Sequence, residues 1–139
     1  MMRLLDTNTL SHLYAEHPRV VKKFGEMPHD ELVGTTIITK IEMLRGRFDY
    51  ALKAATAEEL LKAYGMLVNT EARLADLYIA PFDQVAADHF RRLQKSHRRI
   101  GRADLLIACI CLAQSAIVVT RNVKDFRVVP NLRIENWLD

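Results

Sequence analysis

Four acidic residues, Asp6, Glu42, Asp104 and Asp125, are far apart in the chain but share contexts that suit one piece of chemistry. Clustered carboxylates repel and raise each other's pKa, and a divalent cation removes that penalty. Hard ions such as Mg2+ and Mn2+ take oxygen ligands and keep several waters. Such a site activates water and steadies the charge on a phosphodiester in transit. Thr7 and Asn8 follow Asp6, and Thr120 and Asn122 precede Asp125. Their hydroxyl and amide groups are of the kind that orient carboxylates or metal-bound water. Zinc is disfavoured, because the 5 histidines show no helical ligand spacing and Cys109 and Cys111 lack a second pair.

Each residue also has a purely structural explanation. Asp6 can cap the helix after it, and Asp104 can cap one that begins at Leu105. Asp125 suits a turn, and Asn8 and Asn122 suit turn and cap hydrogen bonds. Glu42 lies four residues after Ile38, so it flanks an apolar stripe. Half-burial there would be costly without a partner, which favours a functional role. Basic residues accumulate beside the acids. No acidic residue interrupts the stretch between Asp88 and Asp104, which holds Arg91, Arg92, Lys95, His97, Arg98, Arg99 and Arg102. Arg98, Arg99 and Arg102, with Arg121 near Asp125, are the candidates for holding RNA phosphates beside a metal. The alternative is a solvated helix face. No aromatic residues interleave the basic ones, so base-stacking platforms are not expected.

These residues need elements to position them. Residues 2–5 read as a strand ending at Asp6, and 7–16 as a helix with Leu10, Leu13 and Tyr14 on one face. Pro18 can open a short helix, and Gly25, Pro28 and Asp30 mark a loop. A strand is expected over 31–36 and a helix over 37–48, with Ile38, Ile41, Arg45 and Phe48 in one stripe. A helical region follows over 51–76, interrupted at Gly65 and again near Asn69-Thr70. Residues 77–80 read as a strand, 84–98 as a helix, 103–115 as a buried helix, 117–120 as a strand and 132–134 as a last one. Strands alternating with helices predict an α/β domain with a mainly parallel sheet. In such sheets functional groups gather at the carboxyl ends of strands, where all four acids can meet.

The bulk composition agrees. A chain of 139 residues, 50% apolar, with no repeat or linker, reads as one domain over 1–139. No apolar run reaches the roughly 18 residues of a membrane span, and the N-terminus is too short and too charged for a signal peptide. A cytoplasmic location without membrane association is the expectation. The net charge of +3 permits a polyanionic partner without demanding one. Cys109 and Cys111 read as small buried hydrophobes.

Four segments together resemble the PIN domain: Leu5-Asp-Thr-Asn8, Ile38-Thr-Lys-Ile-Glu-Met-Leu-Arg-Gly46, Ile100-Gly-Arg-Ala-Asp-Leu-Leu-Ile-Ala108 and Val119-Thr-Arg-Asn-Val-Lys-Asp-Phe126. More narrowly, they resemble VapC-type toxins of toxin–antitoxin pairs. The resemblance spans almost the whole chain and rests on the order and separation of the segments. It implies a three-layer α/β/α fold with an acidic pocket. Asp6, Glu42 and Asp104 match its three most diagnostic acids, and Asp125 a more variable fourth. Ala103 stands where a polar residue is common. The resemblance further implies an Mg2+- or Mn2+-dependent endoribonuclease acting on transfer, ribosomal or messenger RNA. It implies a homodimer; the apolar residues Leu60, Leu61, Tyr64 and Leu67 read either as its contacts or as core. A VapB-type antitoxin would lie across the pocket, and operator DNA would be met only through that antitoxin. The competing readings are a PIN-like module that binds RNA or a partner without cutting, and a structural α/β protein with no metal affinity. A phosphatase of the haloacid dehalogenase type needs a second aspartate where Asn8 stands, and a receiver domain needs adjacent acids after its first strand.

Overall fold

The computed structural model describes residues 1–95 and 100–139. Its order is β1 (Met2–Leu5), α1 (Thr7–Tyr14), α2 (Pro18–Glu26), β2 (Leu32–Thr36), α3 (Ile37–Lys53), α4 (Ala57–Ala75), β3 (Ile79–Ala80), α5 (Gln84–Leu93), α6 (Arg102–Ala113), β4 (Ile117–Val119), α7 (Val123–Phe126) and β5 (Arg133–Glu135). The strands form one sheet in the order β3-β2-β1-β4-β5, and every pair is parallel. Leu5 lies opposite Thr35 on one side and Val119 on the other.

Alternating side chains feed two cores. Leu4 and Val118 pack with Ala86 and Leu93 of α5 and with Leu105, Ile107 and Ile110 of α6. Leu5 and Val119 face the other way, against Leu10, Val20, Leu74 and Trp137. The result is the expected three-layer sandwich. Helix α6 is buried on most sides, and Cys109 and Cys111 are free and buried within it. Burial pushes the Cys109 thiol up to about 11, and raises that of Cys111 further.

The chain proceeds from β1 through β2 to β3 on one side, then returns to place β4 on the other side of β1. The connections after β1 and β4 therefore diverge, and a crevice opens between them at the carboxyl ends of the strands. Gly34 brings β3 close: a Cβ there would lie 2.4 Å from the Tyr78 carbonyl oxygen. That same oxygen accepts the Thr35 N–H at 2.9 Å.

Several expected boundaries move. Gly25 lies inside α2, and Gly65, Asn69 and Thr70 lie inside an unbroken α4. The actual break is at 54–56, where Thr56 and Glu59 form a reciprocal capping box. The third strand shortens to Ile79–Ala80, α5 ends at Leu93, and α7 is an additional short helix. The α3 stripe is core only at Ile38; Ile41 and Phe48 are 56% and 49% exposed. Leu60, Leu61 and Tyr64 are also exposed, while Leu67 is half-buried. Among the described residues, no helix is long and apolar enough to cross a membrane.

Candidate active site

Asp6 closes β1 and caps α1, so the capping role is real. Its Oδ1 accepts the Thr9 N–H at 2.9 Å, and its own N–H donates to the Val119 carbonyl at 3.0 Å. The residue is 5% exposed. One carboxylate oxygen is used by the cap; the other has no hydrogen bond among the described residues. Capping therefore fixes the side chain instead of competing with a second role.

Asp104 departs from the capping reading. Gly101 is the N-cap of α6, without a side-chain bond, and Asp104 sits one turn in and half-buried. Asn122 reaches it from the connection after β4. The Asn122 amide donates to Asp104 Oδ2 at 3.1 Å and to Asp125 Oδ2 at 2.9 Å, which uses both of its N–H groups. Burial raises the Asp104 pKa, the Asn122 hydrogen bond opposes this, and the charges of Asp6, Asp125 and Glu42 raise it further. Three other acids therefore act on Asp104 through space.

Glu42 contradicts the half-burial argument, because the residue is exposed. Its position is nonetheless fixed. The Thr7 hydroxyl lies 2.6 Å from Glu42 Oε1 and 3.1 Å from Thr39 Oγ1. A hydroxyl has one proton, so donation to the carboxylate leaves Thr39 as donor to Thr7. Thr39 was not singled out from the sequence. Its signal was available: it precedes Glu42 by three residues and so shares a helix face with it.

A cavity of about 510 Å³ joins these groups, lined by Asp6, Thr7, Asn8, Glu42, Asp104, Arg121 and Asn122. Asp125 is not in that lining and meets the site through Asn122. Thr120 is buried; its hydroxyl accepts the Asn122 N–H at 2.9 Å and shapes the turn. Among the described residues, Arg121 is the one cation in the lining, and its guanidinium is paired with Asp139 at 3.2 Å. Arg102 is exposed and turns away, its guanidinium 5.5 Å from the Phe90 ring centroid. Arg98 and Arg99 lie outside the described residues.

Among the described residues, no three His, Cys, Asp or Glu side chains are gathered tightly enough to hold a metal ion as they stand. Each acid rests on a neutral donor instead: Asp6 on a backbone N–H, Glu42 on Thr7, Asp104 and Asp125 on Asn122. Repulsion among carboxylates gives a physical reason for that spacing. The donor set is all oxygen, anionic and positioned by hydrogen bonds, which fits a hard divalent cation and not zinc.

The PIN domain, as a family, matches residues 3–132 of the chain. This chain belongs to the PIN-domain family. It is 30% identical over 142 aligned positions to Ribonuclease VapC1 of Haemophilus influenzae strain R2866, covering 99% of this chain and 98% of that one. It is 25% identical to the tRNA(fMet)-specific endonuclease VapC of Salmonella typhimurium, covering 96% of each. The crystal structure of VapBC2 from Rickettsia felis, bound to a DNA fragment from its promoter, contains a chain that superposes with a TM-score of 0.77 at 25% identity, covering 99% of both. The four sequence segments thus carried a true family resemblance. The PIN crevice at the β1–β4 switch is where the acid-lined cavity opens.

Proposed function

We propose that this protein is a divalent-metal-dependent endoribonuclease, a toxin held inactive by a VapB-type antitoxin, with residues 1–139 forming one PIN domain. The observation that carries this reading is Asp104, half-buried in one cavity with Asp6 and Glu42 and joined through the Asn122 amide to Asp125. The relatives supply the substrate class, since two are named as ribonucleases or a tRNA endonuclease. The solved VapBC2 complex, bound to promoter DNA, supports a VapB-type partner, through which operator DNA would be met.

Asp6, Asp104 and Glu42 would hold the ion, Mg2+ or Mn2+, with Asp125 acting through water. When bound, such an ion makes water a stronger acid and offsets charge developing on a phosphodiester. The chain's own residues do the positioning. Asn122 ties Asp104 to Asp125, so one amide holds both carboxylates. Thr7 holds Glu42 Oε1, leaving Oε2 to accept a proton from the attacking water. Arg121 offers a guanidinium to a phosphate oxygen, in competition with Asp139. The exposed apolar residues Leu60, Leu61 and Tyr64 would be covered in a homodimer, and the protein would act in the cytoplasm.

The test is incubation of the purified protein with total cellular RNA, with Mg2+, with Mn2+ or with a chelator, followed by sequencing of new ends. Cleavage at defined sites, lost with chelator and reduced about a hundredfold or more in Asp104→Asn, is expected. Tight RNA binding with no new ends under any ion would favour the non-cutting module instead.

A further inference from the structure

A second polar cavity lies at the opposite end of α6 from the acids. It has a volume of about 300 Å³, and its lining includes His89 and Arg92 of α5, Cys111 and Ser115 at the end of α6, and Asn131 and Arg133 before and within β5. Asp104 and Ser115 are separated along α6 by roughly 16 Å of helical rise. The two cavities are therefore distinct.

Its chemistry is the inverse of the first. No acidic side chain is in its lining, while two guanidiniums and an imidazole are. Arg3, Arg91 and Arg121 each have a carboxylate partner; among the described residues, Arg92 and Arg133 have none. Both are nevertheless held. Arg133 donates to the Ser115 carbonyl oxygen at 2.6 Å and reaches Met1 Sδ at 3.2 Å. That bond ties Arg133 to the turn that follows α6. Arg92 donates to His89 Nδ1 at 2.6 Å. Accepting that bond requires Nδ1 to be unprotonated, so the ring's proton sits on Nε2, as a further donor. Burial, then the charge of Arg92, lower the His89 pKa against the opposing pull of Asp88, which favours this neutral tautomer. The two guanidiniums line one cavity and carry several N–H groups beyond those engaged here, the kind of donor set that a tetrahedral oxyanion takes.

We infer that the cavity bounded by His89, Arg92 and Arg133 is a binding site for a phosphate group, whether free or carried on a nucleotide or RNA strand. The site does not depend on the acid cavity cutting RNA. A strand that filled both would be gripped by a phosphate well away from the cleavage point, and would add affinity without touching the reacting bond.

The His89 imidazole is the reporter, assigned by comparison with His89→Gln. Inorganic phosphate is titrated into the protein at constant ionic strength, with chloride as control. A saturable shift of the His89 signals with phosphate alone is expected, weakened about tenfold in Arg92→Gln and in Arg133→Gln. A second arm titrates a short RNA into Asp104→Asn. A His89 shift that phosphate then reverses identifies the strand as the source; a shift with phosphate only identifies the free anion. No phosphate-specific shift, or an unchanged one in folded Arg92→Gln and Arg133→Gln, overturns the site. Loss of cleavage in an otherwise responsive protein would count against the ribonuclease reading alone.

Discussion

At the start of β1, Arg3 is gripped by two carboxylates. Its guanidinium meets Glu135 at 2.9 and 3.1 Å and Glu31 at 3.2 Å. At the other end of the same strand, Asp6 enters a cavity with Glu42 and Asp104, where Arg121 is turned towards Asp139. The consequences for protonation are opposite. Burial works against the Glu135 charge, but the hydrogen bonds from Arg3 and Trp137 outweigh it and hold the carboxyl below the usual range. Asp104 is raised instead, by burial and by its acidic neighbours. One strand thus separates charges that are compensated within the fold from charges that are not. Compensation stabilises; its absence costs stability and is retained where a ligand completes the set.

Three substitutions sharpen or break this contrast. The largest effect is expected for Asp104→Asn, which should reduce RNA cleavage by about two to three orders of magnitude while the protein stays folded. Full cleavage at saturating metal would remove Asp104 from the site. Next, Arg3→Met should lower unfolding free energy by about 1–3 kcal/mol in chemical denaturation, a range discounted for partial exposure, with cleavage per folded molecule unchanged. A variant as stable as the parent would show that the two ends do not differ as described. Thr7→Val should cost about tenfold in cleavage by releasing Glu42, with little change in stability. Equal loss of both would make Thr7 merely structural.

The smallest effect concerns pH. Asp104 has a folded pKa above its unfolded value, so its ionisation opposes folding above that range and the penalty fades as pH falls through the folded pKa. Asp104→Asn should therefore melt slightly above the parent at neutral pH without metal, and the gap should close on acidification. Glu135 has the opposite sign: its contribution is present above the unfolded pKa and is lost as pH falls through the folded one. Arg3→Met should lose part of the acid-dependent destabilisation. Melting temperature across pH 4–8 checks both.

Much of this was readable in the chain, and the exceptions have causes. The strand ending at Asp6, the buried α6 and the parallel order follow from periodicity and alternation, which local residues carry. Among the described residues, the seven that line the acid cavity are all ones that type and spacing single out. The α3–α4 boundary was missed because glycine was weighted above capping: Gly65 is tolerated in an exposed stretch of helix, while Thr56 and Glu59 stop and restart the chain. Exposure of Glu42 was misread because Ile41 and Phe48, its apolar neighbours, face outward and not into the core. The role of Asp139 depends on a contact across the fold, which sequence spacing does not report.

The most direct test of the acid cavity as a metal site is calorimetric titration of the metal-free protein with Mn2+. Saturable binding is expected, lost or sharply weakened in Asp6→Asn and Asp104→Asn and unchanged in Arg3→Met. Absence of Mn2+ binding, or equal binding by the folded Asp104→Asn variant, would contradict it.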